Sequence, residues 1–167
     1  MANTYTLIAN ATVGSGGASS IIFNSIPSTY TDLKLIISHR DSASGIAQNG
    51  KIKINGTTSG YSGKYMMGTG SSTSSGSWAD GTLGAYPSAG ATTNVFGNME
   101  WYFSNYTLSN YKSFTSDSIS ENNGTTGYDW MDSMLWSNNA TISSIEIPAI
   151  TTFVQYSTAY LYGIKNS

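Results

Sequence analysis

YKSFTSDSISENNGTTGYDWMDSMLW, residues 111–136, reads as two long strand-forming arms around a polar turn. The turn, residues 121–127, is made of Asn, Gly and Thr behind Glu121, and such residues accept positive φ or bond back to their own backbone. In the second arm Tyr128, Trp130, Met134 and Trp136 project to one side, and Met131 and Leu135 to the other, because side chains alternate along a strand. Apolar residues on both sides place this arm between two layers. The first arm is rich in Ser and Thr around Phe114 and Ile119 and suits a less buried neighbour. The hairpin is therefore expected at the core of a two-sheet sandwich.

Outward from the hairpin, short apolar runs alternate with Gly, Pro and Asn breaks. Residues 4–9 and 19–26 read as an antiparallel pair ended by Pro27. Residues 32–40 form a core strand with Leu33, Leu35 and Ile37 on one face and Lys34, Ile36, Ser38 and Arg40 on the other. Residues 51–55 turn Ile52 and Ile54 inward, and Asn55-Gly56 is a turn signal. Residues 61–67 are a Gly-studded strand. Residues 68–94 are expected to be a mobile loop region: they open on the low-complexity run GTGSSTSSG, and Trp78, Leu83 and Tyr86 interrupt the polar stretch that follows. Residues 95–103 resume as a strand with Val95, Met99, Trp101 and Phe103 on one face and a bulge expected at Gly97. Residues 142–147 form a strand ended by Pro148, and residues 157–164 close the fold.

This gives about nine to eleven strands and no helix. Turn signals every 8–12 residues or so indicate an all-β antiparallel sandwich, with a jelly roll as the best match, in one domain over residues 1–167. No repeat of fixed period suggests a propeller or solenoid.

Composition narrows the function. The chain has 167 residues, 39% hydrophobic and 10% charged, with a formal net charge of -2. That balance lacks the basic footprint that phosphates require, so nucleic acid is not an expected partner. There is no cysteine, which removes thiolate catalysis, zinc–thiolate sites and disulfides. The first residues, MANTYTLIANATV, lack the pattern of a secretory signal, and no run approaches the roughly 18 apolar residues of a membrane helix. A membrane partner is not expected.

Groups able to do chemistry are few. The only histidine sits in His39-Arg40-Asp41, which matches the letters of a kinase catalytic loop without the glycine loop, strand lysine or metal motif of that family. A histidine-based metal site would need a second imidazole. Asp129 and Asp132, three apart on a strand, face opposite sides and cannot converge as the acid and base of a glycosidase. Asp117 and Glu121 approach the hairpin turn, where calcium could bind, but no dense loop of oxygen ligands is present. Asn-x-Thr occurs after Asn10, Asn55, Asn105, Asn123 and Asn139, a frequency that chance explains in a chain so rich in these residues. No catalytic residue, cofactor or metal is expected.

Aromatics are the more suggestive feature. Tyr61, Tyr65, Trp78, Tyr86, Trp101, Tyr102, Tyr106 and Tyr111 fall in or beside loops and strand ends, and Tyr61, Tyr65, Trp78, Tyr86, Tyr106 and Tyr111 are the expected contact surface. Exposed Tyr and Trp serve sugar stacking or protein contact because a large rigid face is buried at small entropic cost. The competing expectation is that each simply fills the sandwich core.

Three stretches carry a family resemblance: TYTLIANATVGSGGASSIIFNSIPSTYTDLKLIIS, NVFGNMEWYFSNYTLSNYKSFTSDSISENNGTTGY, and LWSNNATISSIEIP with FVQYSTAYLYGIKNS. They resemble a module of tailed-phage virion proteins, common in phages of aquatic bacteria as a small separate protein and as the distal part of tail-fibre-like chains. The resemblance covers both ends and the middle, not residues 39–93, and transfers no site residue. It implies a non-enzymatic β-sandwich displayed on the virion exterior, often self-associated. The chain departs from the fibre form in lacking an attachment region and shaft heptads.

Two functions follow as expectations. One is a capsid decoration (cement) protein held by other virion proteins, the major capsid protein or tail proteins, as a homo-oligomer with a trimer among the candidate states. The other is a tail or tail-fibre component that binds a host receptor or a host surface glycan through Trp78, Tyr86 and their neighbours. A polysaccharide depolymerase is disfavoured, since it needs the converging carboxylates that the spacing withholds.

Overall fold

Alternating apolar residues, punctuated by Gly and Asn at positive φ, divide the residues that this computed structural model describes, 4–124 and 126–165, into thirteen strands without a helix. They are β1 (Tyr5–Thr12), β2 (Ala18–Phe23), β3 (Asp32–His39), β4 (Ala47–Lys51), β5 (Lys53–Ile54), β6 (Tyr61–Gly68) and β7 (Thr73–Trp78). After them come β8 (Thr82–Pro87), β9 (Gly97–Phe103), β10 (Lys112–Ser120), β11 (Tyr128–Trp136), β12 (Ile145–Phe153) and β13 (Thr158–Ile164). Asn55 and Gly56 both take positive φ, and Thr57 N–H closes their turn on the Ile54 carbonyl at 3.0 Å, as the Asn-Gly signal predicts.

One sheet has eight strands in the order β1-β13-β3-β9-β10-β11-β6-β7, with every neighbouring pair antiparallel. The facing layer consists of β2-β12-β5 and the pair β4-β8. The pairs β1:β13, β2:β12, β3:β9 and β4:β8 are nested, first strand with last, second with next to last, and so inward. That is the winding of a jelly roll, in which one long hairpin is rolled into two sheets. Two hairpins are added to it. β6-β7 lies between β5 and β8 in sequence, β10-β11 lies between β9 and β12, and both extend the same sheet past β9.

The core sits between the layers. Leu33, Leu35 and Ile37 of β3, Met99, Trp101 and Phe103 of β9, and Ala159 and Leu161 of β13 meet Ile21, Phe23, Ile145, Ile147, Phe153, Ile52 and Ile54 opposite. Side chains of this kind each contribute about 1.5–3 kcal/mol on burial, and that dry interface is the main source of stability.

Several expectations change in the tertiary structure. The 111–136 hairpin pairs as expected, Lys112 opposite Trp136 through Ser120 opposite Tyr128, but it is an addition to the jelly roll and has one open side. Trp130, Met134 and Trp136 are buried, whereas Met131 is 58% exposed. The Ser/Thr-rich first arm is not the wetter one: Ser116, Ser118 and Ser120 are buried, and the β8 backbone lies directly on Ser118. Ala85 N–H donates to Ser118 Oγ at 3.1 Å, and a Cβ on Gly84 would stand 2.0 Å from that oxygen. Small residues there are the condition for close approach of two backbones.

Residues 68–94 are likewise not a loop throughout. They contain β7, paired along its length with β6, and β8, whose six residues are all buried. Hydroxyl-rich β7 gives no alternating signal because most of it is exposed on both faces. Pro148 does not end its strand; β12 runs on to Phe153 across a register shift. Gly97 starts β9 in regular register and makes no bulge.

Candidate functional site

His39, Arg40 and Asp41 form a structural hub. Arg40 is buried, and its guanidinium donates to the carbonyls of Thr92 (2.7 Å), Val95 (3.0 Å), Ala91 (2.9 Å) and Ala89 (3.4 Å), so one side chain fastens the loop between β8 and β9. Asp41 is fully buried and accepts from the backbone N–H groups of Ala43 (2.7 Å), Ile150 (2.9 Å) and Thr151 (3.2 Å), holding the irregular part of β12. The His39 ring lies 4.0 Å from that of Tyr86 and 5.4 Å from that of Phe153, and neither ring nitrogen has a hydrogen-bond partner. Burial lowers its pKa to about 3, so the imidazole is neutral. None of the three faces a cleft that a substrate could enter.

Asp132 and Asp129 face opposite sides, as their spacing predicts. Asp132 is buried and joins three strands to its own: Trp78 Nε1 donates to it at 2.8 Å, Gly84 N–H at 3.0 Å and Ser116 Oγ at 2.8 Å. Desolvation raises its pKa, and these three donors oppose that rise. Glu121 accepts from the turn amides of Asn122 and Asn123 at 2.8 and 2.9 Å. Asp117 lies four residues back on β10, about 13 Å away along an extended strand, so the two do not converge on a cation. Among the described residues no group of three or more His, Cys, Asp or Glu could hold a metal ion.

The six aromatic candidates do not form one surface. Tyr61, Tyr86 and Tyr106 are core residues, each at most 5% exposed. Burial also raises the Tyr61, Tyr86 and Tyr106 phenols above their usual range. Tyr65 and Trp78 are half-buried and stack at 4.7 Å, with Trp130 at 4.7 Å from Tyr65, on the inward face of the added strands. Tyr111 is exposed by itself ahead of β10. The apolar alternative holds for half of the set, because a strand-end tyrosine in a jelly roll is as readily turned inward as out.

The open surface lies elsewhere, on the outer face of the lengthened sheet. Two adjoining hollows of about 610 and 630 Å³ share Lys64, Tyr102, Thr115 and Ser133. Strands β10 and β11 form the floor of this groove, with Ser113, Thr115, Asp117, Met131 and Ser133 pointing into it. The walls are β9, with Tyr102 and Glu100, and β6, with Lys64 and Met66. Registers align the rows: Tyr102, Thr115, Ser133 and Lys64 stand side by side across four strands, and Glu100, Asp117, Met131 and Met66 form the next row. Short side chains between taller ones make the groove.

Its walls are held in place. Tyr102 Oη donates to Asp32 at 2.6 Å, and that bond with the carboxylate pushes the phenol up to about 12. Asp32 also accepts the Asn105 N–H at 2.7 Å. Lys34 bridges to Glu100 at 2.7 Å, and Lys64 Nζ donates to Ser77 Oγ at 2.5 Å. Among the described residues Asp117 makes no such bond. Burial, and then Asp129 and Glu100, raise its carboxyl pKa.

Sequence reading missed Tyr102, Lys64 and Asp117 as neighbours because they come from three separate strands. The only signal available was the polar alternation of β10, which shows that one face is wet but not what stands beside it. Comparison with protein-family models, with curated proteins and with solved structures finds no match, so the fold and this groove stand on the chain's own residues.

Proposed function

We propose that this chain is a non-enzymatic structural protein of a tailed-phage virion, carried on the capsid exterior as a decoration protein. The observation that carries this reading is how the ionisable residues inside the fold are used. Arg40, Asp41, Asp132 and Asp32 each hold backbone or side-chain partners of the fold itself, leaving none of them as an acid or base for a substrate. The resemblance of both ends and the middle to virion modules supplies the setting. Sheet edges supply the means of attachment: neither β1 nor β7 contains a charged residue or proline, the usual guards against pairing with another chain. Partners would be the major capsid or tail proteins and further copies of the chain, with a trimer as one candidate assembly.

Mass spectrometry of purified particles tests this. The expected result is a fixed, stoichiometric number of copies per virion and a change in capsid stability on deletion. Particles that lack the chain would overturn the proposal.

A second reading, a tail or tail-fibre component that meets a host receptor or surface carbohydrate, is favoured by the outer-face groove. A decoration protein needs only an edge or a base to attach, whereas a preformed groove with fixed walls suits a ligand. Labelling of tail tips rather than capsids by an antibody to the chain would select this reading.

A further inference from the structure

We infer that the outer-face groove over β10 and β11 is a glycan-binding site for a neutral oligosaccharide, seated between Tyr102 and Lys64 with its hydroxyls on Asp117, Thr115 and Ser133. This depends on the groove as a contact site and not on where the chain sits in a particle.

The floor favours a ligand with many donors and acceptors. The hydroxyls of Ser113, Thr115 and Ser133 have no intramolecular partner among the described residues, and each can both donate and accept. Asp117, without a donor among the described residues and opposite Glu100 across the β9–β10 pair, is an acceptor awaiting hydroxyl protons. Two facing carboxylates repel, and a ligand that donates to both relieves this.

The walls, and Met131 on the floor, favour a ligand that also has apolar faces. Tyr102 is 36% exposed with its ring fixed by Asp32, and Met66 and Met131 are 61% and 58% exposed beside Asp117. A sugar ring presents C–H faces to such surfaces while its rim donates hydrogen bonds. A site immobilised in advance also loses little entropy on binding.

Other occupants fit less well. The groove floor consists of interior strands whose N–H and C=O groups are already paired on both sides, so an extended peptide finds no backbone partners there. Lys64 on the wall opposes a cationic segment, and Asp117 with Glu100 opposes an anionic one.

The test uses the full chain labelled with ¹³C at the methionine methyls and titrated with neutral oligosaccharides of glucose, mannose, galactose and N-acetylglucosamine. Met66 and Met131 border the groove, and Met99 lies in the core away from both hollows, so one spectrum reports both site and fold. The expected result is a saturable shift of Met66 and Met131 with at least one sugar series, while Met99 stays unmoved. Thr115→Trp, which fills the floor, is expected to weaken binding more than tenfold with the core methyl signal unchanged, and Asp117→Asn to weaken it several-fold. If Thr115→Trp disturbs the core signal, Tyr102→Ala is read in its place, with the same tenfold loss expected. Absence of any shift at millimolar sugar overturns the inference, as do shifts that survive both wall and floor variants, or binding of a Lys-rich peptide in preference to every sugar. Finding the chain in virions but without sugar binding refutes the groove assignment alone. Sugar binding without virion incorporation refutes the decoration reading alone.

Discussion

Lowering the pH should loosen this fold through His39, whose imidazole is fully buried against Tyr86 and Phe153 with no partner on either nitrogen. Desolvation takes its pKa from 6.5 to about 3. Below pH 6.5 the unfolded chain binds a proton at this residue, and the native chain does so only near pH 3. The unfolded state therefore holds more protons inside this window, and stability falls as pH falls, by about 1.4 kcal/mol per pH unit. The loss attributable to His39 reaches about 3 kcal/mol near pH 4.5 and about 4 kcal/mol near pH 3, against a typical total of about 5–15 kcal/mol. Other groups titrate too. Asp80, lowered by its bonds to Lys51 and Thr82, also loses its contribution as pH falls, whereas Asp132, raised by burial, is relieved. Comparison with His39→Leu cancels both.

Urea unfolding of the two proteins between about pH 7 and pH 4 provides the assay. The leucine variant is expected to equal or exceed the parent at neutral pH, because two unsatisfied nitrogens become carbon, and to lack the extra slope in acid. His39 is the chain's only histidine, so its ring proton signal is unambiguous and is expected to stay flat down to about pH 4. Parallel stability profiles for the two proteins, or a titration of that signal near its ordinary value, would refute the reasoning.

Three further outcomes follow from the same structure. Arg40→Met removes donors from four carbonyls at once and is expected to destabilise by about 3 kcal/mol, with faster amide exchange in residues 89–95; unchanged exchange there would contradict it. Asp132→Ala leaves Trp78 Nε1, Gly84 N–H and Ser116 Oγ without their acceptor and is expected to lower stability by about 3 kcal/mol, accompanied by altered tryptophan fluorescence. Asp132→Asn should lose about half of that, since one oxygen remains. Asp117→Asn, on the exposed face, is expected to raise stability by about 0.5 kcal/mol at low salt, a gain that added salt erodes as it screens Glu100 and Asp129; a gain insensitive to salt would point to another cause.

What the sequence determined by itself was the material of the fold: strands, turns and their alternation. Leu33, Leu35 and Ile37 point inward in the structure because period-two patterning leaves no other arrangement for an apolar face, and Asn55-Gly56 turns because both residues take positive φ. The opposed directions of Asp129 and Asp132 follow from the same alternation. Partners across space were decided by the tertiary structure alone. Burial of Ser118 depends on β8 crossing it, and the inward turn of Tyr61, Tyr86 and Tyr106 depends on which layer covers each strand end. The groove needs Tyr102, Thr115, Asp117 and Lys64 from three strands in one register. Alternation along a strand is a local property of the backbone, but adjacency between strands is settled by packing the whole chain, and no single stretch of residues contains it.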